Sequence, residues 1–159
     1  MTCSAINDLT VSAESSGYEN FWEYDGKFFM LFFNKFRHTL VVDIPVIAFM
    51  YMEINNWHGM SVRCGVWQYY ESGAFEKEKF EWVWSFLRTN GEMEMADVYA
   101  HGIHDYANER YQKYDYPEEW LDEAEEIDEW IKANEEYIYK WMYDLILEHK
   151  NEVVKLGEK

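Results

Sequence analysis

Residues 115–136 read DYPEEWLDEAEEIDEWIKANEE, eleven carboxylates against one base, Lys132, so this stretch carries ten of the chain's seventeen net negative charges. A disordered acidic tail lacks aromatic residues, whereas this stretch holds Trp120 and Trp130 among apolar residues at helical spacing. The pattern predicts a folded helix with a dense anionic face. Such a face repels DNA, RNA and acidic membranes and attracts basic protein surfaces. The expected partner is therefore a basic protein, with no direct nucleic-acid contact and no membrane contact.

The 159 residues suit one domain with a real core. Eight Trp, thirteen Tyr and ten Phe supply large buried areas that offset self-repulsion at a charge of −17. Cysteines are few, Cys3 and Cys64, and Cys3 sits in a segment read as loose, so a structural disulfide is not expected. Free thiols and the lack of an N-terminal export pattern point to the cytosol. The longest apolar run, residues 44–52, falls far short of the roughly 20 residues that cross a bilayer.

Along the chain, residues 1–16 are small and polar and read as a flexible N-terminus, and residues 17–159 as a single helical domain. Residues 19–36 are densely apolar and too long for one strand, hence helix, with a break expected at Asp25 and Gly26. Leu40, Val41 and Val42 form the one strand-like run. Pro45 starts a buried helix to about residue 56, and Asn55, Asn56 and Gly59 suggest a break or bend. Helical spacing resumes over 61–70, and Ser72 with Gly73 ends it. Residues 76–90 are amphipathic and stop at Asn90 and Gly91. A further helix is expected from 92 to about 113, with Gly102 marking close packing.

Pro117 opens the acidic helix. Trp120, Ala124, Ile127, Ile131, Ile138, Trp141 and Leu145, with Asn134 in the same series, step by four and three as in a coiled-coil seam. Asn134 either caps a new helix led by Glu135 and Glu136 or sits within one long helix; two helices in line is the preferred reading. The fold class is thus all-α: one multi-helix domain with a long acidic C-terminal helix or helix pair.

No G-x-S-x-G, H-E-x-x-H or Gly-rich phosphate loop occurs, so no catalytic residues are assigned and no enzyme is expected. His101 and His104 are i, i+3 on the expected helix, a spacing that can place two imidazoles on one metal, but two ligands do not make a site. No metal and no cofactor are assigned. The aromatic rings could stack on bases, yet 31 acids against 14 bases leave no basic groove for phosphates.

The candidate site is therefore the acidic face, with Glu118, Glu119, Asp122, Glu125, Glu126 and Glu129 as partner-binding residues. Like-charge i, i+4 pairs there cost roughly 0.2–0.5 kcal/mol each, which a face meant for solubility alone would avoid by mixing signs. Twenty-two helical residues span about 33 Å, so ten net charges give about one per 3.3 Å, close to one per 3.4 Å along a DNA strand.

Gly65-Val66-Trp67-Gln68-Tyr69-Tyr70, followed by Ser72-Gly73, resembles the bacterial DNA-mimic domain family, an all-helical, acidic group, over residues 45–107. That family carries Gly-Gly-aromatic-x-Gln-aromatic-aromatic and then Asn-Ser and Gly. This chain has Cys64 for a Gly, Val66 for an aromatic and Glu71 for Asn. The resemblance implies an acidic decoy that occupies a DNA-binding protein. Two other readings stand beside it: a toxin-immunity or antitoxin-type protein binding a basic toxin, and a helical enzyme using carboxylates or the His101/His104 pair.

Overall fold

The computed structural model describes residues 3–158. Met1, Thr2 and Lys159, which the expected segments 1–16 and 17–159 include, lie outside the described residues, as do the side chains of residues 3–4 and 112–114. The fold is all-α, and no strand occurs among the described residues. Nine α-helices are described: α1 (Cys3–Ser16), α2 (Asp25–Phe36), α3 (Val46–Cys64), α4 (Trp67–Gly73), α5 (Glu78–Thr89), α6 (Met93–His101), α7 (Glu118–Ala133), α8 (Glu135–Glu148) and α9 (Lys150–Lys155). Short 3-10 turns cover Tyr18–Glu23, Val41–Asp43 and Glu109–Tyr114.

The chain divides into two compact units, one of Met1–Asn55 with Glu135–Lys159 and the other of Asn56–Asn134. The first unit is built on aromatic edge-to-face packing. The Phe21, Phe28 and Phe32 rings stand 5.5–6.5 Å from the buried Tyr51 ring, and the Tyr51 hydroxyl donates to the Asp25 carbonyl at 2.9 Å. The second unit centres on Trp57, Tyr69, Tyr70, Phe80 and Tyr99, all buried. Their polar atoms satisfy one another, as buried tyrosine and tryptophan require. Trp57 Nε1 donates to the Tyr70 hydroxyl at 2.8 Å, and that hydroxyl donates to the Tyr99 carbonyl at 2.8 Å.

Several local expectations are corrected. The N-terminal segment is helix α1, not a loose end. Ile6, Thr10 and Ala13, spaced i, i+4, i+7, are buried on one face, and the Thr10 hydroxyl donates back to the Ile6 carbonyl at 2.8 Å. Leu40, Val41 and Val42 form no strand. Val41 opens a 3-10 turn, and the side chains of Leu40 and Val42 are exposed. α3 continues without a break through Asn55, Asn56 and Gly59. Asn55 is not a helix breaker here because its amide is engaged outside the helix, donating to Asp25 Oδ2 at 3.1 Å.

The helix expected over 92–113 stops at His101. Gly102, its C-cap, lies so close to the Tyr70 ring that a Cβ would overlap it. The expected reading of Gly102 as a close-packing position agrees with this contact; the expected continuation past it does not. Gly65 joins α3 to α4 at a φ of 99°, a conformation open to glycine and strained for other residues. Asn134 caps the C-terminus of α7, its amide donating to the Trp130 carbonyl at 2.9 Å, and α8 begins at Glu135. The acidic segment is thus two helices, as preferred from the sequence.

Candidate functional site

Helix α7 forms because Pro117 supplies a fixed φ before its first turn and Glu118 and Glu119 face the positive end of the helix dipole. Its buried residues are Ala124, Ile127 and Ile131. At about 100° per residue these three fall on one side of the helix. The six expected partner-binding carboxylates fall on an arc of about 120° opposite them, and all six, Glu118, Glu119, Asp122, Glu125, Glu126 and Glu129, are exposed. The helix thus brings the whole expected set together on one face. Glu126 has a partial partner, with His101 Nε2 3.6 Å from its Oε2. The other five make no side-chain hydrogen bond or ion pair among the described residues.

Two further carboxylates of α7, Glu123 and Asp128, lie on the flanks between the buried side and the exposed arc, and the fold uses both. Asp128 Oδ1 accepts from the Ser61 hydroxyl at 2.5 Å and from the Val66 N–H at 3.0 Å. It therefore ties α7 to the junction between α3 and α4. On the other flank, His104 Nε2–H donates to Glu123 Oε2 at 2.5 Å. The His104 ring lies parallel to that of Trp120, 4.7 Å between centroids.

Tyr106, Tyr111 and Tyr116 complete an aromatic cluster around Trp120. The Tyr116 hydroxyl donates to Glu71 Oε2 at 2.6 Å. Tyr106 differs: its hydroxyl is buried and finds no partner among the described residues. Burial, and then the charges of Glu123 and Glu71, push the Tyr106 phenol up to about 12. Next to Tyr106 in sequence, Asp105 accepts from Lys77 through Oδ1 at 2.8 Å, and that bond holds its carboxyl below the usual range.

The histidine pair does not share a helix. His101 is the last residue of α6, and His104 lies in the segment after Gly102. Each imidazole faces a different carboxylate, Glu126 or Glu123. Among the described residues, no three or more His, Cys, Asp or Glu are placed to hold one metal ion. The sequence reading missed the structural work of Glu123, Asp128 and Glu71. The first two were legible: counting 100° per residue from the buried stripe sets them off the outer arc. Glu71 had no such signal, because its partner Tyr116 is 45 residues away.

The fold and this face define an all-α protein with one anionic helix surface. Comparison with family models, with curated proteins and with solved structures finds no match for the chain.

Proposed function

We propose that this protein is a non-catalytic acidic binding domain whose α7 face docks on a basic surface of another protein. One observation carries the reading. Six exposed carboxylates share one arc, while the two α7 carboxylates that the fold uses sit on its flanks. Beyond the favourable placing of Glu118 and Glu119 at the helix start, the face contributes little to folding, and its like-charge i, i+4 neighbours, such as Glu118 with Asp122 and Glu125 with Glu129, work against the helix by roughly 0.2–0.5 kcal/mol each. DNA mimicry is the finer form of the reading. Glu118 to Glu129 spans about 16.5 Å, so its five intervals average about 3.3 Å, close to the 3.4 Å phosphate rise of one strand. The resemblance over residues 45–107 supports the same form. No helix among the described residues is long and apolar enough to cross a membrane, and the exposed free thiol of Cys64 fits a reducing cytosol.

The test is a variant carrying Glu118→Gln, Asp122→Asn, Glu125→Gln and Glu129→Gln. Side-chain size is kept and four charges are removed. Folding stability should hold or rise slightly, while association with basic proteins at low salt should slow, because steering by unlike charges is lost. A variant that captures the same basic proteins equally well at low salt would reduce the face to a solubility device. The captured protein also separates the DNA-mimic form, which predicts a DNA-binding protein, from an immunity role, which predicts a toxin.

A further inference from the structure

The first unit carries a surface of the opposite character. Six of the twelve large apolar side chains exposed among the described residues lie between Trp22 and Val46. Leu40 and Val42 are the most exposed of these, at 72% and 73%. The same segment is where the first 55 residues keep all their bases: Lys27, Lys35 and Arg37 lie within residues 26–42, which hold no carboxylate. In a chain of 31 acids and 14 bases, that run is a local reversal of sign.

Helix geometry places the two chemistries side by side. On α2 the buried residues are Phe28, Phe32 and Phe36. At about 100° per residue, Met30, Phe33, Lys27 and Arg37 share an arc of about 120° away from them, and all four are exposed. The Phe29 and Phe33 rings stack at 5.8 Å, which stiffens that face. Leu40, just before the 3-10 turn Val41–Asp43, and Val42 within it are exposed too, with Asp43 closing the turn. Exposed apolar groups gathered in one segment mark an interaction surface.

We propose that α2 and the Leu40–Val42 turn dock peripherally on an anionic lipid surface, the apolar side chains entering the headgroup boundary and Lys27 and Arg37 meeting acidic headgroups. An anionic bilayer interface supplies both halves of the complement, negative charge and an apolar layer beneath it. A second copy of the chain, offering its acidic α7 face, supplies one half. The six residues of that arc are all carboxylates, so they would neutralise the bases and leave Met30, Phe33, Leu40 and Val42 uncovered. The expectation of no membrane contact came from the acidic helix, which belongs to the other unit.

Co-sedimentation of the full chain with vesicles tests this. The probes are phosphatidylcholine alone and phosphatidylcholine mixed with phosphatidylserine. Wild type should pellet with the mixed vesicles and stay in solution with the neutral ones. Lys27→Gln with Arg37→Gln should weaken binding by roughly tenfold or more. Leu40→Ser with Val42→Ser should also weaken it severalfold, and circular dichroism should be unchanged because both side chains point into solvent. No pelleting of wild type with the mixed vesicles overturns the proposal. So does binding that the Leu40→Ser/Val42→Ser variant retains in full, since that is charge adsorption without insertion. Wild type that ignores vesicles but self-associates, with the serine variant monomeric, assigns the surface to a second copy and overturns the proposal as well.

Discussion

His104 lies flat on Trp120, the ring planes 5° apart and the centroids 4.7 Å apart, while its Nε2 reaches Glu123 at 2.5 Å. One side chain thus fixes the start of α7 twice, by stacking and by a charge-assisted hydrogen bond. Removing it as His104→Ala should cost about 1–3 kcal/mol in urea unfolding, the sum of a lost stack and a partly buried carboxylate left without its donor. His104→Phe keeps the stack and should recover part of that loss. Equal losses for the two variants would assign the whole effect to the hydrogen bond.

Tyr106 offers the opposite case, a buried hydroxyl with nothing to bond among the described residues. Tyr106→Phe removes an unsatisfied polar group and leaves the ring contacts with Tyr116 and Trp120. The variant should be as stable as wild type or more stable by about 1 kcal/mol at neutral pH. A loss of more than 1 kcal/mol would reveal a bonding partner for this hydroxyl in solution.

The same group sets an alkaline limit. Folding raises the Tyr106 phenol to about 12, and burial with the Asp25 and Glu135 charges raises Tyr139 to about 12 as well. An unfolded tyrosine ionises near pH 10. Between about 10 and 12 the unfolded chain therefore holds fewer protons than the folded one, and stability must fall as pH rises through that window. Denaturant midpoints measured across it should decline, and less steeply in Tyr106→Phe. Midpoints that stay level from pH 9 to 12 would contradict the burial of these phenols.

Carboxylates on one helix should divide sharply by position. Asp128→Ala strands the buried-side Val66 N–H and the Ser61 hydroxyl and should cost about 1–3 kcal/mol. Glu125→Ala and Glu129→Ala, on the exposed arc, should change stability by less than about 0.5 kcal/mol. Thermal melts of the three variants suffice, and similar losses at all three positions would mean that the outer face is engaged in the fold.

Truncating the buried stripe gives the scale for the helix as a whole. Ile131 is 1% exposed, so Ile131→Ala should cost about 2–5 kcal/mol. Gly102→Ala should also destabilise, by about 1–3 kcal/mol, because a methyl group there meets the Tyr70 ring, whose hydroxyl is fixed by bonds to both Trp57 and the Tyr99 carbonyl. A neutral Gly102→Ala would show that Tyr70 can yield.

The helices legible in the sequence are those whose stripe uses large residues. Phe80, Val83 and Leu87 announce α5, and Ile127 and Ile131 with the acids opposite announce α7. α1 was hidden because its buried positions, Thr10 and Ala13 among them, are small or polar and carry little contrast. Asn55 misled for a different reason. Its break-forming tendency is local, but its amide is spent on Asp25, 30 residues away. The anionic arc was legible in full, since exposure follows from angle alone. The anchoring of that helix by Ser61, Val66 and His104 was not, because those partners are distant in sequence.

The division of the chain has a consequence for the order in which it can fold. Unit two is one uninterrupted stretch, Asn56–Asn134, and every contact inside it can close once that stretch has been synthesised. Unit one is split around it, and α1 packs on α8 and α9, more than a hundred residues later. Closing so long a loop is entropically costly and slow. Until Glu135–Lys159 is available, α1 and the aromatic face of α2 have no α8 to pack on, whereas the segment bearing the acidic helix needs nothing beyond Asn134 to close.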